Sequence, residues 1–437
     1  MKTHINIHRW LAAAILVLPV PMVQAQLFPS RPVVNEKELL INDIAVVNST
    51  RATDPQGPWH IRTLMSHLAK KADPSAFVLS LLSQWETQNL VNRQLTDVRA
   101  NIRSLIINPW IARSKAAGLP PGTLDFTTAP FRLLAIVNRM DLRSEVPDDM
   151  DAGEGRFVFC TFDVTTGNPH QFTFILEYRL VASSKQQIMD WAKAWHHLGS
   201  HTAFDEPYLD ALATVTDRFA GSNAVLNQLR TNENALNSTW QLREFQIGSD
   251  GFLKLVTPKQ TPPNTTLMNQ NLKLQLAQFI NFNADKIRSQ THEVPELFAG
   301  APFLGAVVNN PFPTTASAWN VVDSIVDNET RHLFSLNTCN GCHGVETRTG
   351  TEGAPNFFTH IRPRLATAAS TLSHFLTGTS ANGGAPDPIV PATIRQFNDL
   401  DRRKTDLENL LNGTAQTLEA ARTVGPAGPR RRPSRVH

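Results

Sequence analysis

In the stretch Ser335 to Thr347, SLNTCNGCHGVET, two of the chain's three cysteines stand three positions apart with a histidine directly after the second. Cys339 and Cys342 on one helical turn present their thiols to the same side. Both can then bond the vinyl groups of one porphyrin, with His343 under the iron as an axial ligand. The same residues admit half of a zinc site, a redox dithiol, or chance. Zinc needs two further ligands, yet Cys160 is the only other thiol and no His-x(3–5)-His pair lies close downstream. A redox dithiol places its first cysteine at a helix N-terminus after a strand, whereas a helical pattern leads into Cys339. The motif therefore favours haem c, covalently held, one per chain.

The resemblance extends beyond the motif. RHLFSLNTCNGCHG resembles the start of a class I cytochrome c domain, where a helix bearing an aromatic residue, here Phe334, runs into the attachment motif. Pro355 in GAPNF looks like that family's turn, whose proline carbonyl accepts the hydrogen bond of the proximal histidine. LDRRKTDLENLLNG is similar to its last helix, with Leu407, Leu410 and Leu411 as a packing face. The resemblance covers roughly 316–413. It implies cofactor contacts from Cys339, Cys342, His343 and Pro355. One departure concerns the second axial ligand. The family draws a methionine from just before the last helix, but that stretch reads VPATIRQF and the chain's last methionine is Met268. His360, in FFTHIRPR, is the expected substitute, and His374, an open site or a residue from the first domain are the alternatives. Two histidines suit electron transfer, while an open site suits an oxidoreductase or a small-ligand sensor. Arg348, Arg362 and Arg364 are either partners of the haem carboxylates or solvated surface groups.

Several elements must position these residues. From Val34 to Ala117 apolar residues recur at helical spacing, as in AFVLSLLSQWETQNL. Arg132 to Val137, Arg156 to Phe162 and Phe172 to Leu180 read as strands separated by Gly-bearing turns. Ser184 to Leu198, Glu206 to Phe219 and Leu272 to Arg288 read as helices, and Trp240 to Val256 as a hairpin. The expected organisation is an α+β domain of unknown function over 26–300, a connector over 301–315, an all-α cytochrome c-like haem domain over 316–413, and a disordered basic tail over 414–437. Charged residues crowd the strand ends, among them Arg139, Asp141, Glu154, Arg156, Glu177, Arg179 and Arg230. Burying them demands pairing. Strand-tying ion pairs are expected there, with a substrate cleft beside the haem as the alternative. No nucleophile elbow, phosphate loop or zincin motif is present.

The 437 residues begin with Lys2 and Arg9, an apolar run from Trp10 to Val23, and Val23-Gln24-Ala25. That pattern is expected to be a signal peptide over 1–25, cut before Gln26, making the protein periplasmic or secreted and bacterial. The FRLLAIVNRMDLR segment ahead of a haem motif resembles secreted bacterial proteins of unassigned role. No later run approaches the roughly 18 apolar residues of a membrane span. The formal net charge of +3 comes from the leader and from the arginines of GPRRRPSRVH, so the body carries no basic stripe for nucleic acid. The expected partner is a redox protein or a small electron donor or acceptor.

Overall fold

The computed structural model describes residues 31–237, 239–262, 270–309, 325–344, 346–347, 359–378 and 384–413. A nine-stranded antiparallel sheet runs through the chain. Its strands are β1 (Leu40–Ile41), β2 (Phe131–Arg139), β3 (Asp151–Phe162), β4 (Pro169–Val181), β5 (Leu226–Glu233), β6 (Gln241–Leu242), β7 (Glu244–Ile247), β8 (Leu253–Val256) and β9 (Val308–Asn309). The spatial order is β1-β2-β3-β4-β5-β6-β9, with β7 paired to both β5 and β8. The β7–β8 hairpin turns through Gly251, whose φ of 81° lies in the left-handed region that glycine adopts freely.

Alternation along the long strands gives the sheet two dissimilar faces. Phe157 on β3 and Leu176 on β4 are paired in register, and their neighbours Phe174 and Tyr178 point the same way. These residues pack on Trp85 and on the Lys185–Leu198 and Glu206–Ala220 helices through Trp195 and Phe219. The fit is close: a Cβ on Gly155 would stand 2.5 Å from the Phe219 ring. The Lys185–Leu198 helix is capped by Ser184, which accepts from Gln187 N, and Asp205 caps the Glu206–Ala220 helix by accepting from Tyr208 N.

The opposite face carries Arg139, Glu154, Arg156, Glu177, Gln228, Arg230 and Glu244, every one less than a tenth exposed. An antiparallel sheet with this alternation ordinarily turns its polar side to water. Here the C-terminal third covers it.

That covering segment corrects the expected fold class. The α+β part exists, but no all-α cytochrome c-like domain follows it. Val308 and Asn309 are already part of the main sheet, paired with Leu242 and Gln241. The described elements beyond them are helices Asn328–Leu336, Cys339–Cys342, His374–Thr377 and Asp399–Leu411, plus a short hairpin of Ala385–Pro386 with Ile394–Arg395. The two longer helices do not share a core. Phe334 is buried with Leu276, Phe279, Ile280 and Phe303, against the Gln270–Phe282 helix. Leu407 and Leu410 belong instead to the main core, where their helix meets the Lys185–Leu198 helix and the Met140–Leu142 turn. With their apolar faces claimed by different partners, these helices form no separate bundle.

Candidate functional site

The motif is locked by short-range hydrogen bonds before any side chain chemistry enters. Thr338 caps the Cys339–Cys342 turn: its Oγ1 accepts from Gly341 N at 3.1 Å and donates to Ser335 O at 2.7 Å. Thr261 reaches in from the earlier part of the chain, its Oγ1 accepting from Cys339 N at 2.8 Å. Gly341 cannot be replaced, because a Cβ there would lie 2.1 Å from Ser335 O. Both cysteines are free thiols and both are buried. Cys339 packs with Trp240, Leu242 and Val308, while Cys342 faces the main core.

His343 closes the turn, and its ring stacks on Trp240 at 5.5 Å between centroids. His360 lies on the other side, its ring centroid 4.5 Å from that of His343 and 4.9 Å from Phe375. Its backbone is held because Ser373 N donates to His360 O at 2.9 Å. Its ring is held at both nitrogens: Nδ1 lies 2.8 Å from Ser373 Oγ and Nε2 lies 3.2 Å from Cys342 Sγ. Ser373 was invisible to spacing arguments, since a serine thirteen positions from a histidine carries no signal.

The two imidazoles line a cavity of about 80 Å³ whose floor is the charged face of the sheet. Val158, Ile175 and Leu242 supply its apolar surface, and Arg139, Arg156, Arg230 and Arg403 reach it with Glu177. Arg156 donates to Glu154 at 2.7 Å and lies 3.5 Å from Glu177. Arg230 donates to Glu244 at 3.0 Å and lies 3.3 Å from the second oxygen of Glu177. Burial pushes the Glu177 carboxyl up despite these two guanidiniums. The strand-end charges singled out in the sequence are thus ion pairs and cavity wall at once.

The thiols are poorly suited to act as thiolates. Burial raises the Cys339 thiol, and burial together with Asp399 raises Cys342 well above the ordinary cysteine range. A nucleophilic or disulfide-exchanging cysteine needs the reverse. The Cys342–His360 contact alone does not offset it, because a charge formed there is cut off from water. A thioether carries no charge and is indifferent to this burial.

The zinc alternative finds no support in the geometry. Among the described residues, the one group of three or more potential ligand atoms within 4.8 Å of one another is His332, Glu346 and Asp387. Arg331 already occupies it, donating to Glu346 at 2.7 Å and 3.0 Å and to Asp387 at 3.0 Å, with Arg395 on Asp387 at 2.9 Å. The buried Arg331 and the half-buried Arg395 supply the positive charge a cation would bring, so the group reads as an ionic clamp between the Asn328–Leu336 helix and the 385–395 hairpin.

Other sequence candidates divide. Arg364 is no partner for a cofactor carboxylate: it is buried and donates to Leu133 O at 2.8 Å and to Asn48 Oδ1 at 2.7 Å, tying the C-terminal segment to β2. His374 opens the His374–Thr377 helix and does not line the cavity. Cys160 is fully buried and its thiol is raised by burial. Pro355, Arg348 and the 1–25 leader lie outside the described residues. Among those described, no helix is long and apolar enough to cross a membrane. No protein-family model, curated protein or solved structure matches the chain.

Proposed function

We propose that the chain is a haem protein of the periplasm or exterior of a bacterium, holding one haem c and passing single electrons through it to a redox partner. Cys339 and Cys342 would carry the thioethers, and His343 and His360 would be the axial nitrogens. The observation that carries this reading is the convergence of two imidazoles from separate segments on one cavity beside two free, buried thiols. Haem supplies the electron-carrying iron. The chain's residues supply nitrogen donors, an apolar wall, and guanidiniums able to face the cofactor's carboxylates. A porphyrin is larger than this cavity of about 80 Å³, so holding one would require the His343 and His360 rings to stand further apart than 4.5 Å. Ser373 would accept from His360 Nδ1–H and leave Nε2 with its lone pair outward, the tautomer an axial ligand requires.

The test is expression with the native leader in a host that matures c-type cytochromes, followed by a denaturing gel stained for haem and optical spectra of both redox states. Haem held by one thioether in Cys339→Ser or Cys342→Ser, and covalent haem lost in the double variant, is the expected result. A low-spin ferric spectrum should turn high-spin in His360→Ala. A wild-type protein that emerges without covalent haem would falsify the proposal. A wild-type spectrum already high-spin would assign the site to small-ligand chemistry.

A further inference from the structure

Beside the histidine cavity lies a second and larger one, of about 270 Å³, which shares Arg139 and Phe375 with it. Leu333, Leu336 and Phe397 form its apolar side, and Arg139 and Arg402 its polar side. Both guanidiniums belong to a chain of buried ion pairs. Arg139 donates to the two oxygens of Asp141 at 2.8 Å and 3.0 Å. Arg402 bridges Asp141 at 2.8 Å and Asp399 at 2.6 Å, and Arg403 grips the other oxygen of Asp399.

The charge in this chain does not balance. Three guanidiniums face two carboxylates. Although burial opposes it, their guanidinium neighbours hold both aspartates well below the usual carboxylate range, so both are ionised. Within this set one guanidinium is in excess where Arg139 is 1% exposed, while the adjoining face sets Glu154, Glu177 and Glu244 against Arg156 and Arg230. Burial, together with Arg403 and Arg156 nearby, pushes Arg139 down to about 10, the mark of crowded cations. The donors are also incompletely used. Arg139 and Arg402 each engage the aspartates through Nε and Nη2, while among the described residues the Nη1 of neither donates to a protein group. A buried guanidinium and a half-buried one lining the same cavity have the chemistry of an anion receptor.

We infer that this second cavity binds a small monocarboxylate with an apolar body, its carboxylate on Arg139 and Arg402 and its body against Leu333, Leu336 and Phe397. A bare inorganic anion leaves the apolar wall uncovered, and a neutral apolar molecule leaves the surplus charge unanswered. The site does not depend on the haem reading, since every residue named belongs to the protein's own framework. If haem is present, the site places a bound acid directly behind Phe375, next to the redox centre.

Calorimetric titration of the full-length protein with benzoate, acetate and sulfate tests this, on haem-loaded and haem-free preparations alike. Benzoate should bind saturably to both, at least about tenfold tighter than acetate or sulfate, because only it fills both halves of the cavity. Arg402→Gln should weaken benzoate about tenfold or more. Since Arg402 also ties two aspartates, a second variant guards against a folding artefact: Gln396→Trp, at an exposed position on the cavity rim, should block benzoate with an unchanged melting temperature. No saturable benzoate binding up to about 10 mM, or full affinity in both variants, overturns the site. Binding confined to haem-free protein also overturns it, and assigns the surplus charge to the cofactor's own carboxylates.

Discussion

On one side of the sheet Phe157, Phe174, Leu176 and Tyr178 meet Trp85, Trp195 and Phe219. On the other, Glu154, Arg156, Glu177, Arg230 and Glu244 meet each other and the segment that carries His343 and His360. Both sides are buried, yet their energetics differ. The aromatic side gains from every ring that leaves water, and its contacts tolerate small shifts. The ionic side must first overcome the desolvation of each charge, and recovers it only while every partner stays in place. The difference teaches where this protein keeps its chemistry. A packed aromatic layer offers nothing to a ligand, whereas a buried ionic layer supplies oriented donors at the edge of a cavity.

The largest effects should come from deleting one member on either side. Phe219→Ala opens a cavity among Phe157, Tyr178 and Trp195 and should cost about 3–5 kcal/mol in chemical denaturation. Arg156→Met should cost a similar 3–5 kcal/mol, but for another reason, since it takes the guanidinium from Glu154 and leaves Glu177 only that of Arg230. A double change separates the two: adding Glu154→Gln and Glu177→Gln to Arg156→Met should recover much of the loss, whereas no second deletion rescues Phe219→Ala. If the triple variant is no more stable than Arg156→Met, the ionic face is not limited by stranded charge.

A smaller, pH-dependent effect comes next. His60 and His292 are lowered by burial to about 4. Their folded values lie below the unfolded one near 6.5, so they leave the protein at full stability above that pH and erode it as pH falls towards 4. Asp387, brought down to about 2 by its backbone donors and Arg331 against the effect of burial, acts in the next window. Its stabilisation is complete above the unfolded value near 3.9 and is lost as pH falls through about 2. Glu177 has the opposite sign: its raised carboxyl stabilises most at low pH and less as pH rises. The melting temperature should therefore fall steadily below about pH 6.5. Glu177→Gln should improve relative to wild type between pH 4 and pH 7, and a difference that is constant with pH would refute the assignment.

The smallest effect is expected away from both faces. Arg51 pairs with Glu206 and Asp210 at the surface, where water screens the charges. Arg51→Ala should cost less than about 1 kcal/mol, and a larger loss in denaturant titration would show that surface pairs rival the buried layer.

Much of the secondary structure was legible because local patterns are dictated by local physics. The Ser184–Leu198 and Glu206–Phe219 ranges read as helices, Trp240–Val256 contained the hairpin, and the Phe-, Val-, Ile- and Leu-rich GRFVFCTF and FTFILEYRL read as two long strands. The Cys339–Cys342–His343 turn was legible because it is built from residues within a few positions of one another. The cytochrome-like domain was misread because Phe334 and Leu407 show the same amphipathic spacing whether two helices pack on each other or on different neighbours. Only the partner surfaces, the Gln270–Phe282 helix for one and the main core for the other, distinguish the cases.

By itself, the sequence determined the long strands β2, β3 and β4, the β7–β8 hairpin and the Cys339–Cys342–His343 turn, since each follows from a few neighbouring residues, whereas β1, β5 and β9 carried no such local signal. Tertiary structure alone decided that the charged face of the sheet is covered, that Thr261 and Trp240 brace the motif, and that His360 stands opposite His343 with Ser373 behind it. It also decided that three guanidiniums share two aspartates. These are contacts between residues up to hundreds of positions apart, and no local periodicity records which distant surface a segment will cover.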